Sequence, residues 1–282
     1  MLNNQISKDY ENLTLSNNFI FMKVMQDKRL CIRLLEIILN KKIRDIKYQT
    51  QKEFETAPDS KGVRLDVYVE GSSEVYDLEM QSLDTNDLKK RSRYYQGKMD
   101  VVFLEKGTDV TYNDLKDSYI IFICTFDLFE KGRHIYRFRQ ICQEDKNIIL
   151  NDGTERIFLN PHSELDDIDE KLSSFLKYLI DEHPRDDFTE SLDKSVKKAR
   201  KNKKWRDEYM TVEMQNRIIR AQGKAEGKAE GKAEGIAEFS TSIDRINAGE
   251  SADNIISSGI DKATVDKAIA LVNKIVSGSA QS

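Results

Sequence analysis

Two short segments in the first third of the chain, residues 63–70 and 74–81, alternate strictly between apolar and polar side chains. A period of two residues is the signature of a β-strand, and only Gly71 to Ser73 separate the two segments. The pattern therefore predicts a β-hairpin. Pairing its apolar sides places four polar side chains on one common face. These are Asp66, Asp77, Glu79 and Gln81.

The segments around this hairpin predict a mixed α/β domain. Residues 118–129 are almost continuously apolar, which is typical of a strand buried on both faces. Further strands are predicted at 43–55, 134–142 and 147–159, and helices at 17–40, 84–105 and 164–181. We expect this domain to occupy residues 1–190.

The rest of the chain predicts helices with little core. Residues 191–239 read as a basic helix and a helical linker that carries four tandem repeats, GKAE, GKAE, GKAE and GIAE, at 223–238. Glycine costs a helix about 1 kcal/mol relative to alanine, so the repeats predict either a flexible spacer or a self-associating helix. Residues 240–282 predict a small helical module, which at this size needs oligomerisation or docking onto another copy.

Composition excludes several classes of protein. Hydrophobic residues make up 39% of the chain, which is enough for a packed core. The longest apolar run, Tyr119–Phe126, is far shorter than the roughly 20 residues of a membrane span. We see no secretory signal, and the widely spaced Cys31, Cys124 and Cys142 indicate neither a disulfide framework nor a zinc site. A reduced, cytoplasmic protein is expected.

The polar face of the hairpin carries the candidate chemistry. The short turn places Asp66 directly or diagonally across from Glu79, with Cβ atoms roughly 4.5–8 Å apart. Two such carboxylates repel unless a cation lies between them or one is protonated, and oxygen ligands suit Mg²⁺ or Mn²⁺. Gln81 points to the same place. The alternative is that this face of the hairpin is exposed to solvent and that its acidic residues have no functional role.

These residues resemble a known family. Leu65-Asp66-Val67, Leu78-Glu79-Met80-Gln81 and the following helix with Arg93-Tyr94-Tyr95-Gln96 are similar to the Rpn family of recombination-promoting nucleases, also called transposases, in the PD-(D/E)XK superfamily. The opening Asn18-Phe19-Ile20-Phe21 with Asp27, and the repeats, resemble that family too. The resemblance covers about residues 14–240.

The resemblance implies a restriction-endonuclease-like core, with a mixed sheet flanked by helices and a helical C-terminal tail. It implies that Asp66 and Glu79 are metal ligands, with the Met80 carbonyl as a third, and that Gln81 occupies the lysine position of the motif. The metal would be Mg²⁺, with Mn²⁺ or Ca²⁺ as alternatives. Glu36 is either an accessory acid or a helix-surface charge.

The expected function is a metal-dependent DNA endonuclease, linked to recombination, mobile elements or phage defence. The alternative is a non-catalytic assembly or regulatory protein that acts through its C-terminal tail. Homo-oligomerisation through that tail is expected, and Met210 and Met214 would allow a separately translated C-terminal fragment.

A basic strip at residues 194–206 carries eight Lys or Arg and no acid, although the whole chain has a net charge of −4. It is either a solvated helix face or a surface that contacts phosphates. The candidate DNA contacts are Arg93, Tyr94, Lys197, Lys198, Lys201 and Lys204.

Overall fold

The computed structural model describes residues 9–44, 47–54, 63–104 and 111–279. The chain divides into two compact units, Met1–Met210 and Thr211–Ser282. The first unit therefore extends beyond residue 190, where we expected its domain to end.

The first unit is built on a six-stranded mixed sheet with the order β1-β2-β3-β4-β6-β5. The central strands β3, β4 and β6 are parallel, and the other neighbours are antiparallel. The strands are β1 (Lys47–Phe54), β2 (Val63–Glu70), β3 (Glu74–Gln81), β4 (Asp117–Cys124), β5 (Ile135–Phe138) and β6 (Thr154–Leu159).

The predicted hairpin is present as β2 and β3. Its registered pairs run from Glu70 opposite Val75 to Val67 opposite Leu78. Beyond these pairs, β2 continues along β1 and β3 continues along β4. The two strands of the hairpin therefore separate after the pair of Val67 and Leu78, and the next residues are Asp66 on β2 and Glu79 on β3.

Helices cover both faces of the sheet, as the continuously apolar β4 predicts. One face packs against α1 (Asn18–Val24), α2 (Lys28–Leu39), α4 (Glu170–Asp181) and α5 (Asp187–Arg200) in one apolar cluster. The other face packs Phe122 and Phe158 against α3 (Leu88–Leu104). Side chains along β4 alternate between these clusters: Ile121 lies in the first and Ile120 in the second.

The single helix predicted at 17–40 is wrong, because two helices occupy that segment. Asn17 caps α1 by accepting a hydrogen bond from the Phe19 N–H (3.0 Å). Asp27 caps α2 in the same way through the Arg29 N–H (2.9 Å). Each cap satisfies a helix N–H that has no partner within the helix, so both starts are fixed by short polar side chains.

The long helix α6 (Lys203–Asn247) begins within the first unit. Lys23 of α1, which is only 7% exposed, binds Glu208 over 2.7 Å and lies 5.9 Å from the centre of the Trp205 ring. Trp205 and Tyr209 pack against the first apolar cluster. The start of α6 therefore packs within the first unit, which explains why this unit reaches Met210.

The second unit contains the remainder of α6 with α7 (Ala252–Ser257) and α8 (Lys262–Ser279). Gly249 and Gly259 have φ angles of 86° and 104°, which favour glycine, and they separate the three helices. Ile255, Val265 and Ala268 form its small buried centre.

Within the described ranges, no helix has the length and apolar character needed to cross a membrane. The mixed sheet between helices, followed by a helical tail and a small helical module, confirms the predicted fold class.

Candidate active site

The site lies where β2 and β3 part. The backbone N–H of Asp66 donates a hydrogen bond of 2.9 Å to the side-chain oxygen Oε1 of Glu79. Oδ1 of Asp66 accepts a hydrogen bond of 3.3 Å from the Asn18 side chain on α1. The structure thus brings the two predicted acids together and adds Asn18 beside them.

A third acid, Asp77, is buried next to this pair. Asp77 is fully buried, Glu79 is 4% exposed and Asp66 is 7% exposed. Among the described residues, the side-chain oxygens of Asp77 have no hydrogen-bond donor apart from the neighbouring carboxyl group of Glu79, whose contact lowers the Asp77 pKa. A buried carboxylate that lacks hydrogen-bond donors is energetically unfavourable, so this site should bind a cation or retain protons.

The burial of these acids changes their titration. Burial is the main cause that raises the pKa of Asp77 well above its ordinary value, and the Asp66 charge raises it further. Burial also raises the pKa of Glu79, together with the charges of Asp77 and Asp66. Three acids therefore share one low-dielectric site and cannot all ionise without a compensating cation.

Arg91 on α3 is the nearby cation. Its Nη2 donates a hydrogen bond of 2.5 Å to the side-chain oxygen of Gln81. Its guanidinium lies 5.7 Å from the Tyr95 ring centre and 5.3 Å from the Phe122 ring centre. Arg91 lowers the pKa of both Asp77 and Glu79, although burial of each acid and the neighbouring carboxylate charges outweigh it.

Gln81 is fixed by two contacts at the end of β3. It accepts from Arg91, and it donates a hydrogen bond of 2.5 Å to the Leu83 carbonyl. The Met80 side chain is buried in the cluster on the opposite face, and Met80 is in register with Ile123 of β4. Its main chain lies beyond the last registered pair of β2 with β3.

The donor set suits a hard divalent cation. Asp66 and Glu79 supply carboxylate oxygens in a buried site with excess negative charge, and the Asp77 oxygens lie beside them. Within the described part of the chain, no three His, Cys, Asp or Glu side chains come together as a metal-holding group. Asp66, Asp77 and Glu79 are neighbours but are not arranged as such a group. The expected ligand set has only two carboxylates and one main-chain carbonyl, and it is the hard oxygen donors of this set that fit the ion.

Glu36 lies in a different environment. Its carboxylate accepts a hydrogen bond of 3.2 Å from the Ile43 N–H and pairs with Lys42 (3.3 Å) and Arg33 (3.5 Å). These contacts hold the chain just after α2. They favour the helix-surface interpretation of Glu36 over that of an accessory acid.

The helix α3 presents the predicted Arg93 and Tyr94 to solvent. Gln96, three residues after Arg93, is instead buried and donates hydrogen bonds to Ser118 Oγ (2.6 Å) and the Ser118 carbonyl (3.1 Å). The motif on this helix therefore divides into an exposed polar part and a part that ties α3 to β4.

The basic strip borders a series of surface grooves. A groove of about 560 Å³ between α2 and α5 is lined by Arg29, Arg33, Lys194 and Lys198, among others. A second groove of about 560 Å³ continues along α5 past Lys198 to Lys201.

Ion pairs distinguish the lysines of this strip. Lys197 is paired with Asp193 over 2.7 Å, one helical turn before it. Lys198, Lys201 and Lys204 are exposed, and no ion pair is seen for them within the described residues.

Three residues of the site were not assigned a role from the sequence. Asp77 was placed on the polar face, but no charge pattern showed that it is buried. Arg91 lies in a segment rich in Lys and Arg, and the sequence does not show which of these side chains faces the acids. Asn18 lies 48 residues before its partner Asp66, so only the tertiary fold brings them together.

Comparison with known proteins identifies a family. Residues 17–199 match the family model described as PD-(D/E)XK nuclease family transposase. No curated protein and no solved structure gives a significant match.

Proposed function

The chain belongs to the PD-(D/E)XK nuclease family transposases, and we propose that it is a divalent-metal-dependent DNA endonuclease that hydrolyses phosphodiester bonds. The observation that carries this proposal is the buried acidic pair at the parting strands, in which the Asp66 N–H binds Glu79 Oε1. Such a pair on rigid strands is suited to catalysis because its geometry is held by the sheet.

Asp66, Glu79 and the Met80 carbonyl would hold the ion, with Mg²⁺ first and Mn²⁺ or Ca²⁺ as alternatives. When bound, the ion supplies charge neutralisation on the phosphate and lowers the pKa of a water. Asn18 and the Asp66 N–H orient the two carboxylates. This orientation removes the need to reorganise ligands during the reaction.

Gln81 and Arg91 complete the site on its α3 side. Gln81 stands at the lysine position of the motif, and its amide is an uncharged group that orients water by hydrogen bonding. Arg91 holds Gln81 and brings the positive charge that this amide lacks. Water forms a bond to the phosphorus and gives one proton to solvent, one ester P–O bond breaks, and the leaving oxygen takes a proton from solvent.

DNA would be the substrate, held by exposed cations. Arg93 and Tyr94 extend from α3, the helix that carries Arg91, and Lys98 lies 5.4 Å from the Tyr94 ring centre. The grooves along α5 add Lys197, Lys198 and Lys201, with Lys204 just beyond. We propose that the protein acts on DNA in the cytoplasm, in recombination, mobile-element movement or phage defence.

The test is cleavage of supercoiled plasmid by the purified full chain with Mg²⁺, Mn²⁺, Ca²⁺ or EDTA. Nicking and linearisation should require a divalent ion and should fall to the EDTA level in Asp66→Asn and Glu79→Gln. Glu144→Gln, which changes an exposed acid in the loop between β5 and β6, is the control and should cleave normally.

Circular dichroism of all three variants separates loss of chemistry from loss of fold. Metal-independent cleavage, or full cleavage by folded Asp66→Asn and Glu79→Gln, would overturn the assignment. A folded wild type that binds DNA and cleaves under no condition would support the non-catalytic alternative.

A further inference from the structure

A cavity opens at the carboxyl ends of β3 and β4, beside the candidate active site. Residues 82–87 follow β3 and residues 125–132 follow β4, and together with the start of α3 they line a space of about 300 Å³. In sheets with parallel strands, ligands commonly bind in the crevice beyond the carboxyl ends of the strands. Gln81 is the last residue of β3 and contacts Arg91, so the cavity and the acidic site share this edge of the sheet.

Hydrogen bonds hold both segments around the cavity in place. The Thr125 N–H donates to the Gln81 carbonyl over 3.0 Å and joins the two segments at their base. The Asp127 carboxylate accepts hydrogen bonds from the N–H groups of Phe129 (3.1 Å) and Gly132 (2.7 Å). The cavity is therefore formed before a ligand enters, which lowers the entropic cost of binding.

The lining combines an aromatic ring with groups that donate and accept hydrogen bonds. Phe129 supplies the ring, and the Lys89 ammonium lies 4.9 Å from its centre. Asp84 and Glu130 supply carboxylates, and Asn86 supplies an amide. Within the ranges that the structure describes, neither the Asn86 amide nor the Glu130 carboxylate takes part in a hydrogen bond or an ion pair of the protein. Both groups are thus available to a ligand.

These groups match a nucleobase that carries an amino group. A carboxylate accepts a hydrogen bond from the N4 amino group of cytosine, and an asparagine amide pairs with N6 and N7 of adenine. Guanine and thymine present carbonyl oxygens at the corresponding positions, and these repel a carboxylate. The face of an unstacked base packs on an aromatic ring such as that of Phe129.

The helix α3 fixes the distance of the cavity from the acids. Lys89 lines the cavity and Arg91 binds Gln81, and side chains two residues apart point to different sides of a helix. A helix with its side chains is about 10–12 Å across, and neighbouring bases of one strand are about 3.4 Å apart. The cavity therefore reaches a base about three positions from the bond that the acids address.

We propose that this cavity binds one unstacked adenine or cytosine of the DNA, with Phe129 against the face of the base and Asn86 and Glu130 at its amino edge. The inference rests on the proposed function, because it takes DNA as the bound molecule. It makes the protein selective for strands that carry one of these bases about three positions from the cut.

Backbone geometry allows the two polar side chains to be removed without strain. Asn86 and Glu130 have φ angles of 59° and 54°, and glycine adopts positive φ more readily than any other residue. Asn86→Gly/Glu130→Gly should therefore fold as the wild type does, which circular dichroism checks. Asn151→Gly is the matched control, because Asn151 has a φ of 53° and lies just before β6, at the opposite edge of the sheet.

The first test is fluorescence anisotropy of the full chain in EDTA, with labelled single strands made only of adenine, cytosine or thymine nucleotides. The wild type and Asn151→Gly should bind the adenine and cytosine strands at least about fivefold more tightly than the thymine strand. Asn86→Gly/Glu130→Gly should bind all three equally well. The ratio is compared because removing an acid strengthens binding to every DNA.

The second test is sequencing of the ends produced by cleavage of a plasmid library with random inserts. The wild type should enrich adenine and cytosine at one fixed position near the cut, and Asn86→Gly/Glu130→Gly should not. Glu130→Gln replaces one acceptor oxygen with a donor and should raise the share of thymine and guanine at that position.

The outcomes are separable from those of the metal-dependence assay. Equal binding of the three strands by the wild type, or the same ratio in the wild type and Asn86→Gly/Glu130→Gly, would overturn the base-binding cavity. Selective binding that is lost in this variant, in a protein that cleaves under no condition, would support the cavity and reject the nuclease. Metal-dependent cleavage with no selectivity would do the reverse.

Discussion

The amide of Asp66 donates a hydrogen bond to the carboxylate of Glu79 over 2.9 Å, across the line where their two strands part. A main-chain group of one strand thus holds the acid of the other strand in place. The carboxylate of Asp66 is held from the other side by Asn18 (3.3 Å). Both acids are thereby fixed before any cation binds, which lowers the entropic cost of forming a metal site.

Metal binding should be visible as stability as well as activity. Addition of Mg²⁺ at about 100 times its dissociation constant should stabilise the folded chain by about 2.7 kcal/mol. We expect the melting temperature of the wild type to rise by several degrees, and that of Asp66→Asn and Glu79→Gln to stay constant. Differential scanning calorimetry measures this, with Glu144→Gln as the matched control. An equal rise in Asp66→Asn would show that the ion binds elsewhere.

The free energy of unfolding should fall with rising pH when metal is removed. The pKa of Asp77 is raised above its ordinary 3.8 and that of Glu79 above its ordinary 4.5, chiefly by burial. The folded state therefore holds these protons more tightly than the unfolded state. The stability that this provides is complete below pH 4 and is lost as pH rises through the folded pKa values.

Urea denaturation in EDTA between pH 4 and 8 checks this prediction. Each unit by which a folded pKa exceeds the unfolded one is equivalent to about 1.4 kcal/mol. Asp77→Asn keeps the shape of the side chain but removes one charge, so its slope against pH should be smaller than that of the wild type. An unchanged slope would mean that Asp77 does not contribute to the titration.

Arg91 should matter for cleavage although it is not part of the recognised acidic motif. Its guanidinium binds Gln81 and lies among the rings of Tyr95 and Phe122. Removing one preorganised donor from a site of this kind costs about 10²–10³ in rate. Arg91→Ala should show such a loss in kcat, and Arg91→Lys a smaller one.

Lys90→Ala is the control for Arg91, because Lys90 is its exposed neighbour on the same helix. Gln81→Lys tests the same contact from the other side. It places a second positive charge against Arg91, and we expect it to lower stability without raising activity. Higher activity in Gln81→Lys would show that Arg91 does not take the place of the motif lysine.

Local periodicity was sufficient to predict the sheet and the hairpin. The alternation in residues 63–81 indicates which side chains share a face. The registered pairs end at Val67 and Leu78, and the hydrogen bond from the Asp66 N–H to Glu79 brings the next two residues together. Leu65 is the exception: alternation groups it with Val67, but it packs in the α3-side cluster with Tyr68. This change occurs next to Asp66, where β2 leaves β3, and depends on the neighbouring strands.

Contacts between distant elements could not be predicted in the same way. The pattern of apolar residues in 17–40 is continuous, so it hid the break that Asp27 introduces by capping α2. The approach of Asn18 to Asp66 and of Arg91 to Gln81 depends on how α1 and α3 pack on the sheet. Such packing is decided by the whole core and leaves no local spacing signal.

The last prediction concerns how the exposed lysines of α5 contribute to DNA binding. Lys198 and Lys201 line the grooves, and no ion pair is seen for either in the described residues, whereas Lys197 is held by Asp193 over 2.7 Å. Because each phosphate contact releases counterions, the plot of log affinity against log salt should become shallower by about 0.9 for each lysine removed. Lys198→Ala/Lys201→Ala should therefore reduce the slope by nearly 2. Lys197→Ala should reduce the slope less, because Lys197 must give up its ion pair with Asp193 before it can contact a phosphate.

Lys146→Ala, in the loop that follows β5, is the control and should not alter the slope. Fluorescence anisotropy with a labelled duplex in EDTA, between about 50 and 200 mM salt, measures these slopes without cleavage. Equal slopes for the wild type and Lys198→Ala/Lys201→Ala would identify the α5 strip as a solvated helix face and leave α3 as the DNA-contacting helix.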